Sequence, residues 1–201
     1  QCNVTLLKRS QGPLLDLEPE FSELVEKEVA RNGCVLLKGS PLDEIVDNGK
    51  GAVAAVRAGG ETRRADLVLL AMGVVPNAEL AETAGVKLGI KKTIAVDAQL
   101  ETSHPGVFAV GDCAQQIHRV SGEPVFVSQA LAANRMGKIA GANVAARLQK
   151  TGSLQTHPGT MGTVLTKVFD LQVGLCGLNF AQAKKAGFDA RFSWIKDHSR
   201  A

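Results

Sequence analysis

The sequence has no tyrosine, one tryptophan and only 4% aromatic residues. It has no CxxC pair either: Cys2, Cys34, Cys113 and Cys176 are widely separated, which argues against a redox dithiol or a zinc site. They read as free thiols in a reducing compartment. No run approaches the roughly 20 apolar residues that span a bilayer. The longest, LVLLAMGVVP from Leu67 to Pro76, falls far short, and no charged-then-apolar leader opens the chain. A cytoplasmic setting is therefore expected. Long blocks of like charge are also missing: 23 basic residues are scattered among 20 acidic ones, so there is no nucleic-acid footprint. Finally, no GxGxxG occurs, so there is no Gly-rich turn of the kind that cradles a dinucleotide pyrophosphate. What remains is a chain of 201 residues, 45% hydrophobic, enough for one large domain or two small ones with a packed core. Its 21 glycines suggest tight strand-to-helix turns and close backbone approach.

The pattern along the chain is that of an α/β protein. CNVTLL, from Cys2 to Leu7, reads as a buried strand, and residues 18–32 place Phe21, Leu24, Val25 and Val29 at helical spacing before Gly33 stops the helix. With CVLL from Cys34 to Leu37 these form a βαβ unit. Leu42–Val46, Ala52–Arg57 and a polar turn at Gly59–Glu61 predict an antiparallel excursion, and Asp66–Ala71 a fully apolar strand of a covered parallel sheet. Asn77 should cap a short helix to Ala84. Thr93–Val96 and Val107–Val110 read as strands, and Pro124–Leu148 as a helix of about seven turns. On that helix Ala130, Ala133, Gly137, Gly141, Val144 and Leu148 make a face of small residues, which suggests that a neighbouring backbone packs closely there. After a turn-rich linker, Thr163–Phe169 and Leu171–Leu175 read as half-exposed strands, Asn179 as the cap of a helix through Ala186, and Asp189–Ile195 as a third strand.

The candidate chemistry lies in VFAVGDCA, from Val107 to Ala114. A strand ending in Gly111-Asp112 sets a carboxylate at the carboxyl edge of a sheet, where doubly wound folds bind ligands. Gly111 leaves room for close approach, and Asp112 can accept hydrogen bonds from sugar-type hydroxyls. The whole segment TSHPGVFAVGDCA, Thr102 to Ala114, resembles the second flavin-binding fingerprint of the pyridine nucleotide-disulphide oxidoreductases. That resemblance implies that Asp112 holds a ribitol hydroxyl of FAD. SQALAANRMGKIA, Ser128 to Ala140, matches the stretch whose helix start faces the pyrimidine end of the flavin, so Gln129, Ala130 and Leu131 would meet it through backbone groups. A helix N-terminus favours the negative charge of a reduced flavin there. NVTLLKR and DLVLLAMGVVPN resemble parts of the family's nicotinamide domain, with Gly73 near the nicotinamide–flavin junction. Where an acid commonly ends the second strand of NAD-preferring members, this chain has Lys8 and Arg9, which can bind a 2′-phosphate and favour NADPH over NADH. Residues 159–187 resemble the start of the dimerisation domain in the coenzyme A-disulphide reductase and NADH oxidase branch. Asp197–Ala201 (DHSRA) falls where that branch enters a tyrosine-bearing loop, which places substrate specificity in doubt here.

The resemblance covers nearly all of the chain but only about the latter half of the family's length. It implies partial FAD/NAD(P)-binding Rossmann-like domains followed by the start of an α+β dimerisation domain. Residues 1–76 would be the remainder of the NAD(P)-binding domain, 77–152 the second FAD segment and 153–201 the opening of the dimerisation domain. The expected activity of the parent is transfer of hydride equivalents from NAD(P)H through FAD to a disulphide, persulphide or oxygen acceptor. Its expected partners are a nicotinamide nucleotide, a small thiol or disulphide and a second copy, with neither nucleic acid nor membrane. No residue of this chain is assigned as catalytic and none as a metal ligand. The isolated chain is expected to be inactive, and the competing reading is a non-catalytic association module built from the leftover domains.

Overall fold

The computed structural model describes residues 2–12 and 14–197. In chain order its elements are β1 (Thr5–Lys8), α1 (Pro19–Arg31), β2 (Val35–Lys38), β3 (Leu42–Asp47), β4 (Val53–Ala58), β5 (Glu61–Arg64), α2 (Glu79–Thr83), β6 (Gln116–Ile117), β7 (Pro124–Val125), α3 (Ala130–Gln149), β8 (Val164–Val168), β9 (Leu171–Leu175) and α4 (Phe180–Lys185). They fall into two compact units. The first comprises Gln1–Met72, Val164–Leu175 and Asn179–Ala201, and the second Gly73–Thr163 and Cys176–Leu178.

In the first unit β1 and β2 pair in parallel, Thr5 opposite Val35 through Lys8 opposite Lys38, with α1 as the crossover that the sequence predicts. Helix α1 opens on Pro19, whose missing N–H would be unpaired in a first turn anyway. Its Val25 and Val29, with Leu17, pack on Cys34, Leu36 and the hairpin residues Val168, Leu171 and Val173. Burying each such valine stabilises the unit by about 1.5–3 kcal/mol. Phe21 and Leu24 share the helical pattern yet stay exposed, because only one stripe of α1 finds a neighbour. Strands β3, β4 and β5 form an antiparallel meander. The polar turn foreseen at Gly59–Glu61 is shorter than expected, and Glu61–Arg64 is a strand whose four residues are all exposed, so no alternation marked it. Later in the chain β8 and β9 make a hairpin, and Asn179 caps α4, as anticipated; the structure adds a capping box with Gln182.

Among the described residues of the first unit two expected strands are absent. Asp66–Ala71 has no ladder partner, and Leu67 and Leu69 are 85% and 86% exposed. An apolar run becomes a strand only when a neighbour supplies the hydrogen bonds and the cover. Asp189–Ile195 is likewise unpaired. Residues 198–201, and with them most of the DHSRA match, lie outside the described residues.

The second unit is organised around α3. Met136, Ala140 and Asn143 form its buried face, packed with Ile94, Leu100, Ala109 and Ala114 into one core. This corrects the expected packing face: Gly137 and Gly141 meet open space, so that part of the small-residue stripe looks outward, while Ala133 faces the Gly111 turn. The helix also begins later than foreseen, at Ala130. Pro124–Val125 instead pairs with Gln116–Ile117, since the β-branched and aromatic residues Val125, Phe126 and Val127 before Ser128 favour an extended chain. Thr93–Val96 and Val107–Val110 contribute only single bridges, Leu88 to Ile94, Ile94 to Ala114 and Glu101 to Phe108, not strands. Helix α2 has Ala78 rather than Asn77 at its N-cap and no side-chain cap. The linker is held to α3 by Asn143. Its Nδ2 donates to the carbonyls of Gln99 and Gln155, both at 2.9 Å, and its Oδ1 accepts from the Gln155 amide at 2.7 Å.

Candidate functional site

Residues 100–114 reach the site from the core of the second unit. Leu100, Ala109 and Ala114 are buried, and Val110 is extended, so the chain emerges straight into a tight turn at Gly111–Cys113. Gly111 takes φ +80°, a left-handed conformation that favours glycine. A side chain there would meet Ala133 of α3 at 3.6 Å, ordinary contact, so backbone conformation rather than space selects the residue. Asp112 follows, exposed at the apex of the turn. Cys113 turns inward against the core, with its Sγ 3.5 Å from the Val110 carbonyl, and has no part in the exposed face.

Helix α3 starts beside this turn. The Ser128 hydroxyl donates to Asp112 Oδ2 at 2.6 Å, which ties the carboxylate to the residue just before the N-cap. Gln129, the N-cap, is extended and makes no capping bond; its Nε2 donates instead to the Thr163 carbonyl at 3.0 Å. First-turn N–H groups of α3 therefore have no side-chain cap, and Ala130 and Leu131 are exposed at the same helix end. Gly111 and Asp112 thus sit beside the start of α3, whose N-cap and first residues are Gln129, Ala130 and Leu131, although the Leu131 side chain belongs to another side of the helix. Asp112 Oδ1 has no partner among the described residues, so this face offers a free carboxylate oxygen next to uncapped amide donors and a positive helix end. A group with vicinal hydroxyls and an electron-rich heterocycle fits that donor set. Ser128 was not assigned a role from sequence, because only folding brings it to Asp112 across 16 positions.

The other expected site residues are Gly73, Lys8 and Arg9. Gly73 is exposed in the second unit, with nothing within 4 Å of where a side chain would begin. Lys8 and Arg9 belong to the first unit, at the end of β1, where Lys8 Nζ donates to Ser10 Oγ at 2.6 Å. An apolar groove of about 360 Å³, lined by Leu80, Val86, Phe108 and neighbours, carries no ionisable side chain. Among the described residues no helix is long and apolar enough to cross a membrane.

The family described as pyridine nucleotide-disulphide oxidoreductase matches residues 1–147. A coenzyme A-dependent NAD(P)H sulfur oxidoreductase of Pyrococcus furiosus is 35% identical over 199 residues, 98% of this chain and 43% of the relative. The crystal structure of a FAD-dependent pyridine nucleotide-disulphide oxidoreductase from Desulfovibrio vulgaris superposes with a TM-score of 0.83 at 31% identity, over 93% of this chain and 46% of that one. A NAD-dependent persulfide reductase from A. fulgidus gives 0.84 at 31% identity, over 93% and 34%. The chain therefore spans less than half the length of these relatives, and its mixed α/β fold is a part of theirs. On the match over residues 1–147 and the identity along nearly its whole length, this chain belongs to the pyridine nucleotide-disulphide oxidoreductase family.

Proposed function

We propose that this chain is the flavin-contacting segment of an NAD(P)H-dependent flavoprotein oxidoreductase that delivers reducing equivalents to a disulphide, persulphide or oxygen acceptor. The observation that carries the reading is the Asp112–Ser128 hydrogen bond at the start of α3. It holds the carboxylate in one orientation, leaves Oδ1 for a ribityl hydroxyl, and sets the uncapped amides of Gln129, Ala130 and Leu131 beside it. FAD, when bound, supplies the two-electron relay between nicotinamide and acceptor. The protein's part is to bind and orient: Asp112 fixes the sugar chain, the left-handed turn at Gly111 presents that carboxylate, and the positive end of α3 favours charge near the flavin's pyrimidine edge. Lys8 and Arg9 support NADPH, since paired cations accept a 2′-phosphate that an acid would repel. Within this reading residues 1–76 belong to the NAD(P)-binding domain, 77–152 to the FAD-binding domain and 153–201 to the opening of a dimerisation domain in a homodimer.

A chimera tests the assignment, with this chain in place of the matching segment of the Pyrococcus furiosus relative. The chimera should purify yellow, with about one flavin per chain, and Asp112→Leu should lose most of it. Equal flavin content in both overturns the reading.

A second reading, an association module, is favoured by the exposed run Leu67, Leu69, Leu70 and Met72 in the first unit. Unpaired apolar chain invites pairing with another molecule. Light scattering separates the two, since a stable cofactor-free dimer that Leu67→Ser with Leu69→Ser dissolves supports the second.

A further inference from the structure

The face of α3 that bears Ala133 looks at the Gly111 turn. Leu131, Ala132 and Arg135 lie on another side of the helix, since successive residues turn by about 100°. They line a separate cavity of about 130 Å³ in the second unit. That is well below the roughly 300–1,000 Å³ of sites that enclose a drug-sized ligand, and it suits a small ion with a few waters.

The walls of this cavity are pinned. Gln129 binds the Thr163 carbonyl across it. Opposite, Thr160 N donates to the Ile117 carbonyl and Arg119 N to the Thr160 carbonyl, each at 2.9 Å. Gly159 makes this close pairing possible: it has φ +83°, and a Cβ there would strike the Ile117 carbonyl oxygen.

The lining is chemically one-sided. It holds Arg119, Arg135 and His157 and no carboxylate. Neither arginine forms an ion pair among the described residues, although other arginines of the chain do. His157 Nδ1 accepts from the Gly159 amide at 3.3 Å, so the neutral ring carries its proton on Nε2 and can donate. Gln116 adds an independent signal. It is only 2% exposed, and its Nε2 donates to the Val127 carbonyl at 3.2 Å, which fixes which way the amide faces. Its Oε1 is then a buried acceptor that no donor meets among the described residues. A set of cationic donors asks for an anion, and an orphan acceptor asks that the same ligand bring a donor.

We propose that this cavity binds a tetrahedral oxyanion that bears a hydroxyl, of which hydrogenphosphate is the simplest, with Arg119 and Arg135 on its charged oxygens and its hydroxyl given to Gln116. The cavity shares Gln129 and Leu131 with the proposed flavin face, but Asp112 is not part of it, so loss of flavin in Asp112→Leu and loss of the anion in Arg135→Gln are separate outcomes. The test uses the 201-residue chain itself, titrated with inorganic phosphate, sulfate or chloride at matched ionic strength, with the His157 ring protons and the heat of binding as readouts. Phosphate should saturate and shift His157. Sulfate, which has no hydroxyl, should bind about tenfold more weakly or not at all. Arg135→Gln, at an exposed position that tolerates the change, should weaken phosphate binding at least about tenfold, and Gln116→Met should remove the preference over sulfate. A phosphate response no larger than chloride's, or equal affinity for sulfate and phosphate in the unsubstituted chain, overturns the proposal. So does phosphate binding that Arg135→Gln leaves unchanged.

Discussion

Asn143→Ala should be among the most damaging single changes in the second unit. The side chain is 1% exposed, and its amide satisfies three backbone groups at once: the carbonyls of Gln99 and Gln155 and the amide of Gln155. Each such bond contributes about 1 kcal/mol net, so the three amount to about 3 kcal/mol. Gln155 lies at the surface, where water can replace part of what is lost, whereas the truncated amide also leaves a small void against the core. The two corrections oppose each other, and a loss of about 2–4 kcal/mol follows, a large fraction of the 5–15 kcal/mol typical of a domain. Urea unfolding of the 201-residue chain, followed by far-ultraviolet circular dichroism, measures it through the midpoint at constant slope. Asn143→Asp separates donor from acceptor, since it keeps an oxygen for Gln155 N but turns a carboxylate towards two carbonyls, and it should lose as much or more. A loss below about 1 kcal/mol for the alanine variant would refute the three-bond account.

Burial, and secondarily Arg135, hold the His157 imidazole below its ordinary value of 6.5. Its contribution to stability should therefore be complete above pH 6.5 and be lost as pH falls from there towards the depressed folded value; a proton NMR midpoint at or above 6.5 in phosphate-free buffer would contradict it. The Arg147 guanidinium, with help from the Gly106 amide, lowers the Glu101 carboxyl below 4.5, so its stabilisation should be present above that pH and disappear as pH falls through the depressed value. Glu101→Gln should flatten that part of the acid-unfolding curve, and an unchanged curve would show that the pair is silent. The purified 201-residue chain should be colourless and should not oxidise NADPH, because positioning of the flavin needs more than the Asp112 face; stoichiometric flavin surviving gel filtration would overturn this.

Local signals were legible where local physics decided the outcome. Gly33 after a helical run, Asn179 as a cap, and the alternation in Leu171–Leu175 gave α1, α4 and β9 nearly to the residue. Asp66–Ala71 failed for the opposite reason, since a covered strand is a property of its neighbours and its residues here have none. The face of α3 was misread because small residues look alike whether a backbone lies against them or solvent does, and Met136 and Asn143 were the residues that chose the core. At the candidate site, the Gly111–Asp112 turn was readable as a local pattern, and the start of α3 only through the resemblance of a second segment. Ser128 as a partner, and the cavity that joins Gln116, Arg119, Arg135 and His157, were not, because their distance in sequence leaves no spacing to recognise.

The outward stripe of α3 makes the helix a gauge of its own surroundings. Gly137 and Gly141 stand over open space, so alanine at either should stabilise this chain by about 1 kcal/mol. In any larger assembly where another backbone rests on that stripe, the same methyl group would have to be accommodated and the gain would shrink or reverse. Two single-atom additions, compared in the chain alone and in company, would therefore report by their sign whether the surface is bare or covered.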